Sequence, residues 1–376
     1  MTSPSLYPST MARRVSTLKW GEALGAWVCA RLAVGMGFVV AEGIRSNLRP
    51  DADLIHMKGG LLTYDAGWYR DLAERGYAGV PREGLRFFPL YHVVSRWLAW
   101  PFGGNSSLML VIVANVSALV CLVLLHRLVF EEFGDDDLAR RSMWVLALFP
   151  AAGTFVFGYS ESLMLMLTLA MLLAVRRRSW LVAILFGILA GLCRPLAVLL
   201  VVPLAVDGLK GWNRAAFTER FLRLTTVGSP MIGVAAYLFY VGGTFGDWME
   251  PITIQRGLRR GFQDPFTRLW DAFADLRTTL VGTPNLAFAL VFAALLVVAA
   301  RRQRMSWFLY ALATWLVAMS ANNIDSIGRY GLVAFPFVVA IAQLARSERA
   351  MWVVMTVSSA ALTGLTVMTL LGRYVP

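Results

Sequence analysis

The chain has 376 residues, 58% of them hydrophobic and only 15% charged, with a mean hydropathy of +0.61. That composition excludes a soluble globule built round one core and describes a polytopic membrane protein. The net charge of +12 is dispersed as short basic clusters between apolar runs, which points to membrane topology and away from nucleic acid as a partner.

Residues 1–19 are polar and read as a cytoplasmic tail. The apolar run 20–42 is long enough to span, and nothing after it resembles a cleavage site, so it reads as a retained helix. A polar stretch, 43–105, forms the first external loop. Spans follow near 106–127, 142–158 and 160–175. The run from Trp180 to Val206 is interrupted by Arg194-Pro195 and has basic clusters on both sides, Arg176-Arg177-Arg178 and the stretch from Lys210 to Arg223. A single crossing would put one cluster outside, so two half-helices that return to the side they left fit better. Proline lacks an amide hydrogen, and a break there is tolerable where freed carbonyls line a polar cavity. Spans near 224–243, 285–300, 305–321, 329–345 and 350–371 complete about nine full crossings plus the re-entrant pair. A second external loop covers 244–284 and the C-terminus lies outside. The expected fold class is all-α, with one transmembrane domain over 20–376. Clusters such as Arg140-Arg141, Arg301-Arg302 and Arg346 to Arg349 fall in loops assigned to the cytoplasm, which also puts the N-terminus there.

Within the first external loop, Asp65 to Tyr77 reads as a short amphipathic helix, and Phe87 to Phe102, bounded by Pro89 and Pro101, as an aromatic helix lying in the interface. Several polar residues then share the external face: Asp65, Arg86, Tyr159-Ser160-Glu161-Ser162, Arg194, and the turn from Asn322 to Ser326 leading to Arg329-Tyr330. Charges at that depth are costly and are usually paired or functional. Each also has a plainer reading. Asp65 suits a helix N-cap, Glu161 suits a helix N-terminus, and Arg194 and Arg329 suit ion pairs with Glu161 and Asp325. Arg31, mid-span, must face the bundle. Asp135-Asp136-Asp137 reads as solvated charge, His92 and His126 as interfacial residues, and Met164, Met166 and Met171 as lipid or packing surface. Cys29, Cys121 and Cys193 have neither disulfide nor metal spacing.

Asp65-Ala66-Gly67-Trp68-Tyr69 with Gly76-Tyr77, then Arg86-Phe87-Phe88-Pro89-Leu90-Tyr91, Tyr159-Ser160-Glu161-Ser162, Cys193-Arg194-Pro195 and Gly328-Arg329-Tyr330 resemble the pattern of the PIG-V-type mannosyltransferases. These belong to the GT-C superfamily of multi-span glycosyltransferases. The resemblance covers about residues 20–345. It implies a GT-C fold, a catalytic acid in the first external loop, and a polyprenyl-phosphate-linked sugar, typically mannose, as donor. His92 stands where that family usually has a second proline. The chain is also shorter than the eukaryotic members, which act on glycosylphosphatidylinositol precursors, and that leaves the acceptor open between a lipid and a glycan.

Such a reaction releases a phosphate anion, so it calls for one general base and for cations around the leaving group. Asp65 is the expected base. Arg194 and Arg329 are expected to grip the phosphate, Glu161 and Tyr159 to orient hydroxyls, and Trp68, Phe87 and Phe88 to touch sugar faces or the prenyl chain. Arg86 and Tyr330 complete the substrate-binding set. No metal or cofactor is demanded, because arginines can neutralise phosphate. Two other classes remain: a cell-envelope glycan ligase or polymerase, and a transporter of lipid-linked substrates. Transporters usually carry paired helix interruptions in related halves, whereas one break and no internal repeat are legible.

Overall fold

The computed structural model describes residues 19–48, 55–275 and 283–376. Of the expected tail, only Lys19 falls among the described residues. Helix α1 (Trp20–Leu48) leads into the first polar loop, which carries α2 (Ile55–Gly59), α3 (Asp65–Arg75) and α4 (Pro89–Ala99). Then come α5 (Ser106–Phe133), α6 (Asp136–Ala147), α7 (Glu161–Arg176) and α8 (Trp180–Cys193). A 3-10 turn at Pro195–Leu200 separates α8 from α9 (Val201–Gly208). After α10 (Phe217–Phe245), the second polar loop carries α11 (Glu250–Leu258) and α12 (Pro265–Asp275). The chain closes with α13 (Thr283–Arg302), α14 (Met305–Met319), α15 (Ile327–Val333), α16 (Phe335–Leu344) and α17 (Glu348–Leu370).

Helices α1, α5, α10, α13 and α17 have the length and apolarity of membrane spans, and the α15–α16 pair makes a sixth if a bent unit counts as one. The protein is an all-helical integral membrane protein among its described residues. The other apolar segments expected as crossings are shorter. The span expected near 142–158 is not one helix. Helix α6 ends at Ala147, and only a 3-10 turn, Ala152–Phe155, follows before α7. Pro150 removes an amide there. Carbonyls further along this irregular stretch are satisfied from neighbouring helices: Asn115 Nδ2 donates to Val156 O at 3.0 Å and Arg31 Nη2 to Phe155 O at 3.0 Å. Arg31 also donates to Asn115 Oδ1 at 2.9 Å, so the mid-span arginine holds an irregular stretch in place. The run expected at 329–345 is likewise broken, with α15 and α16 meeting at 80° just before Pro336. The legible single interruption is therefore one of several.

The chain does turn back at Arg194-Pro195, but α8, with 14 residues, is nearly as long as the 16-residue α7 and is not a half-length helix. The Arg223 guanidinium lies 5.1 Å from the centre of the Trp180 ring, at the start of α8, and donates to Gly208 O, at the end of α9, at 3.3 Å. One residue thus touches both ends of the stretch, so the chain returns to the level it left. Around that level the basic clusters interlock. Arg176 and Arg304 both pair with Glu132, Arg177 pairs with Glu131 at 2.6 Å, Arg304 with Asp207 at 3.3 Å, and Lys19 with Asp136 at 3.3 Å. Asp135 caps α6 and Asp137 pairs with Arg140, so the triple aspartate is a capped and ion-paired helix start. Helix α7 runs from Glu161 at the far end to Arg176 here. Its 16 residues extend about 24 Å at 1.5 Å per residue, which separates the two ends of the molecule.

Small residues set the most extensive helix contact. A Cβ at Gly191 of α8 would lie 2.2 Å from Pro230 O, and one at Gly233 of α10 would lie 2.1 Å from Ile188 O. Only glycine at both positions lets these backbones meet. Gly191→Leu is expected to lower stability in detergent by at least about 1–3 kcal/mol through overpacking. Gly228→Ala, where no atom lies within 4 Å, leaves it unchanged or raises it. Thermal unfolding of the two purified variants checks the contrast.

Candidate active site

At the end opposite the basic clusters, α3, α7, the α8–α9 break and α15 each deliver one charge. Asp65 is the first residue of α3 and Glu161 the first of α7. Helix N-termini favour carboxylates. Asp65 does not act as the N-cap: Tyr64 holds that place without a side-chain cap bond. The Asp65 oxygens turn instead to arginines, Oδ2 accepting from Arg329 Nη1 at 2.7 Å and Oδ1 from Arg86 Nη2 at 3.3 Å. Glu161, fully buried, accepts at Oε1 from Arg194 Nη1 at 2.5 Å and from Arg329 Nη1 at 3.2 Å. Arg194 also donates to Ser160 Oγ at 3.1 Å, and Arg329 to Ser326 Oγ at 2.9 Å. The plainer ion-pair reading is half right: Arg194 does pair with Glu161, but Arg329 pairs with Asp65 and Glu161, not with Asp325. Asp325 accepts from Asn285 and Asn323.

Backbone geometry aims these groups. Tyr64, at φ 53, and Ser326, at φ 68, are non-glycine residues in the left-handed half of φ, each just before a helix that carries a site charge. Such outliers are costly and persist where the surroundings hold them. The Tyr64 ring stacks on His56 at 3.8 Å, and Ser326 Oγ donates to Pro376 O at 2.9 Å. Burial alone would raise the Asp65 carboxyl, but Arg329 and Arg86 outweigh it and hold the group below the ordinary carboxylate range. Asp65 is therefore ionised at neutral pH. Its contribution to stability is present above the unfolded value of about 3.9 and is lost as pH falls through the lower folded value.

Asp65, Trp68, Arg86, Phe87, Phe88, Arg194, Arg329 and Tyr330 line one cavity of about 1030 Å³. Glu161 and Tyr159 do not line it. They lie beneath, where Glu161 fixes two arginines and the Tyr159 ring centre sits 5.5 Å from the Arg329 guanidinium. Phe87 and Phe88 are at most 5% exposed and chiefly brace the wall. Phe87 meets the Tyr69 ring edge-on at 4.9 Å, and Phe88 packs on Tyr237 at 4.5 Å. His92 is buried in this brace, bonded to the Tyr77 hydroxyl at 3.1 Å, and burial with nearby Arg96 pushes its pKa down to about 3. Apolar side chains also line the cavity: Leu196 and Leu199 from the 3-10 turn after Arg194, Val317 from α14 and Leu258 from α11. Arg256 and Arg259, from the second polar loop, also line the cavity. Sequence reasoning passed over them, although two arginines three apart on a short amphipathic helix would share a face. Among the described residues no group of three or more His, Cys, Asp or Glu side chains stands close enough to hold a metal.

The chain is similar to the Archaeoglobus fulgidus oligosaccharyltransferase tethered through a disulfide bond to an acceptor peptide containing the NVT sequon. The TM-score is 0.44 at 14% identity, covering 94% of this chain and 55% of that one. It is also similar to that oligosaccharyltransferase in complex with Zn and sulfate, with a TM-score of 0.42 at 14% identity, covering 88% of this chain and 53% of that one. The chain thus spans about half the length of these structures. No protein-family model matches it, and no curated protein sequence does.

Glu161→Ala is expected to destabilise the protein by about 3–5 kcal/mol, because it leaves buried guanidinium charge uncompensated. Asp65→Asn keeps an acceptor and costs less. Thermal unfolding in detergent orders the two, and a Glu161→Ala protein as stable as wild type contradicts the buried-pair reading.

Proposed function

We propose that this protein is an integral-membrane glycosyltransferase of GT-C type, moving mannose from a polyprenyl-phosphate donor to a hydroxyl of a lipid or glycan acceptor on the extracytoplasmic side. The observation that carries the reading is the convergence of the Asp65 carboxylate and several arginines on a cavity that is also lined by apolar side chains. A lipid-linked sugar phosphate has those three chemistries in one molecule. The resemblance of the cavity-lining motifs to PIG-V-type mannosyltransferases supplies the sugar and the donor lipid. The basic clusters at the other end, by the positive-inside bias, supply the orientation, with the N-terminal end of α1 at the cytoplasm.

In the proposed reaction, an Asp65 oxygen takes the proton from the acceptor hydroxyl. The acceptor oxygen forms a bond to the anomeric carbon as the bond from that carbon to the phosphate oxygen breaks, and polyprenyl phosphate leaves. Attack from the face opposite the leaving group inverts the anomeric centre, so a β-linked donor gives an α-glycoside. An ionised carboxylate has about four lone-pair sites, and the two arginines engage two of them, so acceptor capacity remains. Glu161 holds Arg194 and Arg329 in position from below. The guanidinium forks suit phosphate oxygens and strengthen as charge develops on the leaving group.

The second broken helix pair, α15–α16, removes the sequence argument against a transporter, because interrupted helices also mark transport paths. Chemistry separates the two: a transporter moves the lipid-linked sugar unchanged, while the enzyme cleaves it. Purified protein supplied with labelled polyprenyl-phosphate-mannose and membrane extract as acceptor is expected to transfer label, and Asp65→Asn to lower the rate by about 10²–10⁴-fold with unchanged elution on size exclusion. Wild-type turnover in that variant excludes Asp65 as the base. With the Asp65 carboxyl held low, kcat/KM is expected to be flat from about pH 5 upward, its acid limb falling below the ordinary carboxylate value of about 3.9. An acid limb near neutrality contradicts the assignment.

A further inference from the structure

The arginines singled out from the sequence are already paired with acids: Arg194 with Glu161, Arg329 with Asp65 and Glu161, and Arg86 with Asp65. Arg259 is not. Its guanidinium lies 4.8 Å from the centre of the Tyr330 ring and lines the cavity, and among the described residues it forms no ion pair or hydrogen bond with any acid. Burial, followed by the positive charges of Arg329 and Arg194, pushes its pKa down to about 10. It is a cation held beside two others, which an anion would relieve.

The position of Arg259 is built in at both ends of α11. At one end Glu250 pairs with Arg82 at 2.9 Å, on the same 3-10 turn as Arg86. At the other, Arg260 takes φ 57 and its carbonyl accepts from Asn322, the Gln263 amide donates to Ser320 O, and Phe262 bridges Ala321. The second polar loop is thereby tied to the turn that precedes Arg329. Five lining arginines stand against the lining acids Asp65 and Asp325 and the underlying Glu161, which leaves two positive charges. A sugar phosphodiester carries one negative charge and the phosphate monoester it releases carries up to two, so the surplus suits the departing group better than the donor.

We propose that Arg259 is the principal phosphate-binding residue of this cavity, receiving the phosphate of a prenyl-phosphate lipid whose chain runs along Leu196, Leu199, Val317 and Leu258. This rests on the lipid-linked donor proposed above. Val317 and Leu258 are 40% and 50% exposed, which gives the chain an apolar way out of the cavity.

The test measures binding of farnesyl phosphate and of farnesol to purified protein in detergent, by tryptophan fluorescence, for wild type, Arg259→Gln, Arg259→Lys and Arg75→Gln. Arg75 is exposed and outside the cavity, so its variant controls for net charge. Wild type is expected to prefer farnesyl phosphate. Arg259→Gln loses at least about tenfold of that affinity while binding farnesol as before, Arg259→Lys recovers part, and Arg75→Gln loses none. Arg259→Gln is also expected to melt no lower than wild type, since no acid loses a partner. A wild-type preference for the phosphate that survives in Arg259→Gln overturns the assignment of Arg259 alone. No wild-type preference over farnesol sinks the lipid-phosphate donor itself. Inorganic phosphate competing on equal terms puts a free anion in the site and overturns the lipid part of the proposal.

Discussion

Two carboxylates sharing guanidinium groups tie this molecule together at one end. Glu161 joins Arg194 to Arg329, and Asp65 joins Arg329 to Arg86. Four segments distant in sequence meet at this chain of charge, and none of its members is more than 20% exposed at the side chain. Charges so far from water are tolerable only when each has a partner. The irregular backbone around them serves that end. The break at Arg194-Pro195, the turn at Tyr64 and the left-handed Ser326 each bring a charge to a point that regular helix geometry would miss.

The second constraint is that the ion pairs gather in two layers. The basic clusters close one end through Glu131, Glu132, Asp136 and Asp207, while the site closes the other, about 24 Å away along α7. Between them lies apolar packing with a few internally satisfied polar groups such as Arg31 and Asn115. This separation makes a membrane site physically coherent.

Much of this was legible in the sequence, for stated physical reasons. Hydrophobic runs located the long spans α1, α5, α10, α13 and α17, and the basic clusters on both sides of Trp180 to Val206 required a chain that turns back, which Arg223 now demonstrates by contacting both ends. Asp65, Glu161, Arg194 and Arg329 stood out because charges at membrane depth are conspicuous. Other features were not legible. The 142–158 segment looks like a span by hydropathy alone, because its break depends on Asn115 and Arg31 from other helices taking up carbonyls of the irregular stretch. The burial of Glu161 and Tyr159 beneath the cavity depends on tertiary packing, as does the departure of Arg329 from Asp325. Arg259 is one arginine among many in a basic chain, and only its half-buried place beside Arg329 and Arg194, without an acid partner, distinguishes it.

The central claim is that the charge chain and the basic layer lie on opposite sides of the bilayer, with the site outward. Single cysteines at exposed Glu83, on the site end, and exposed Asp137, on the basic end, in a background lacking Cys29, Cys121 and Cys193, test it with a membrane-impermeant maleimide on intact cells. The account predicts that Glu83→Cys is labelled directly and Asp137→Cys only after permeabilisation. Labelling of Asp137→Cys with protection of Glu83→Cys, or direct labelling of both, contradicts it.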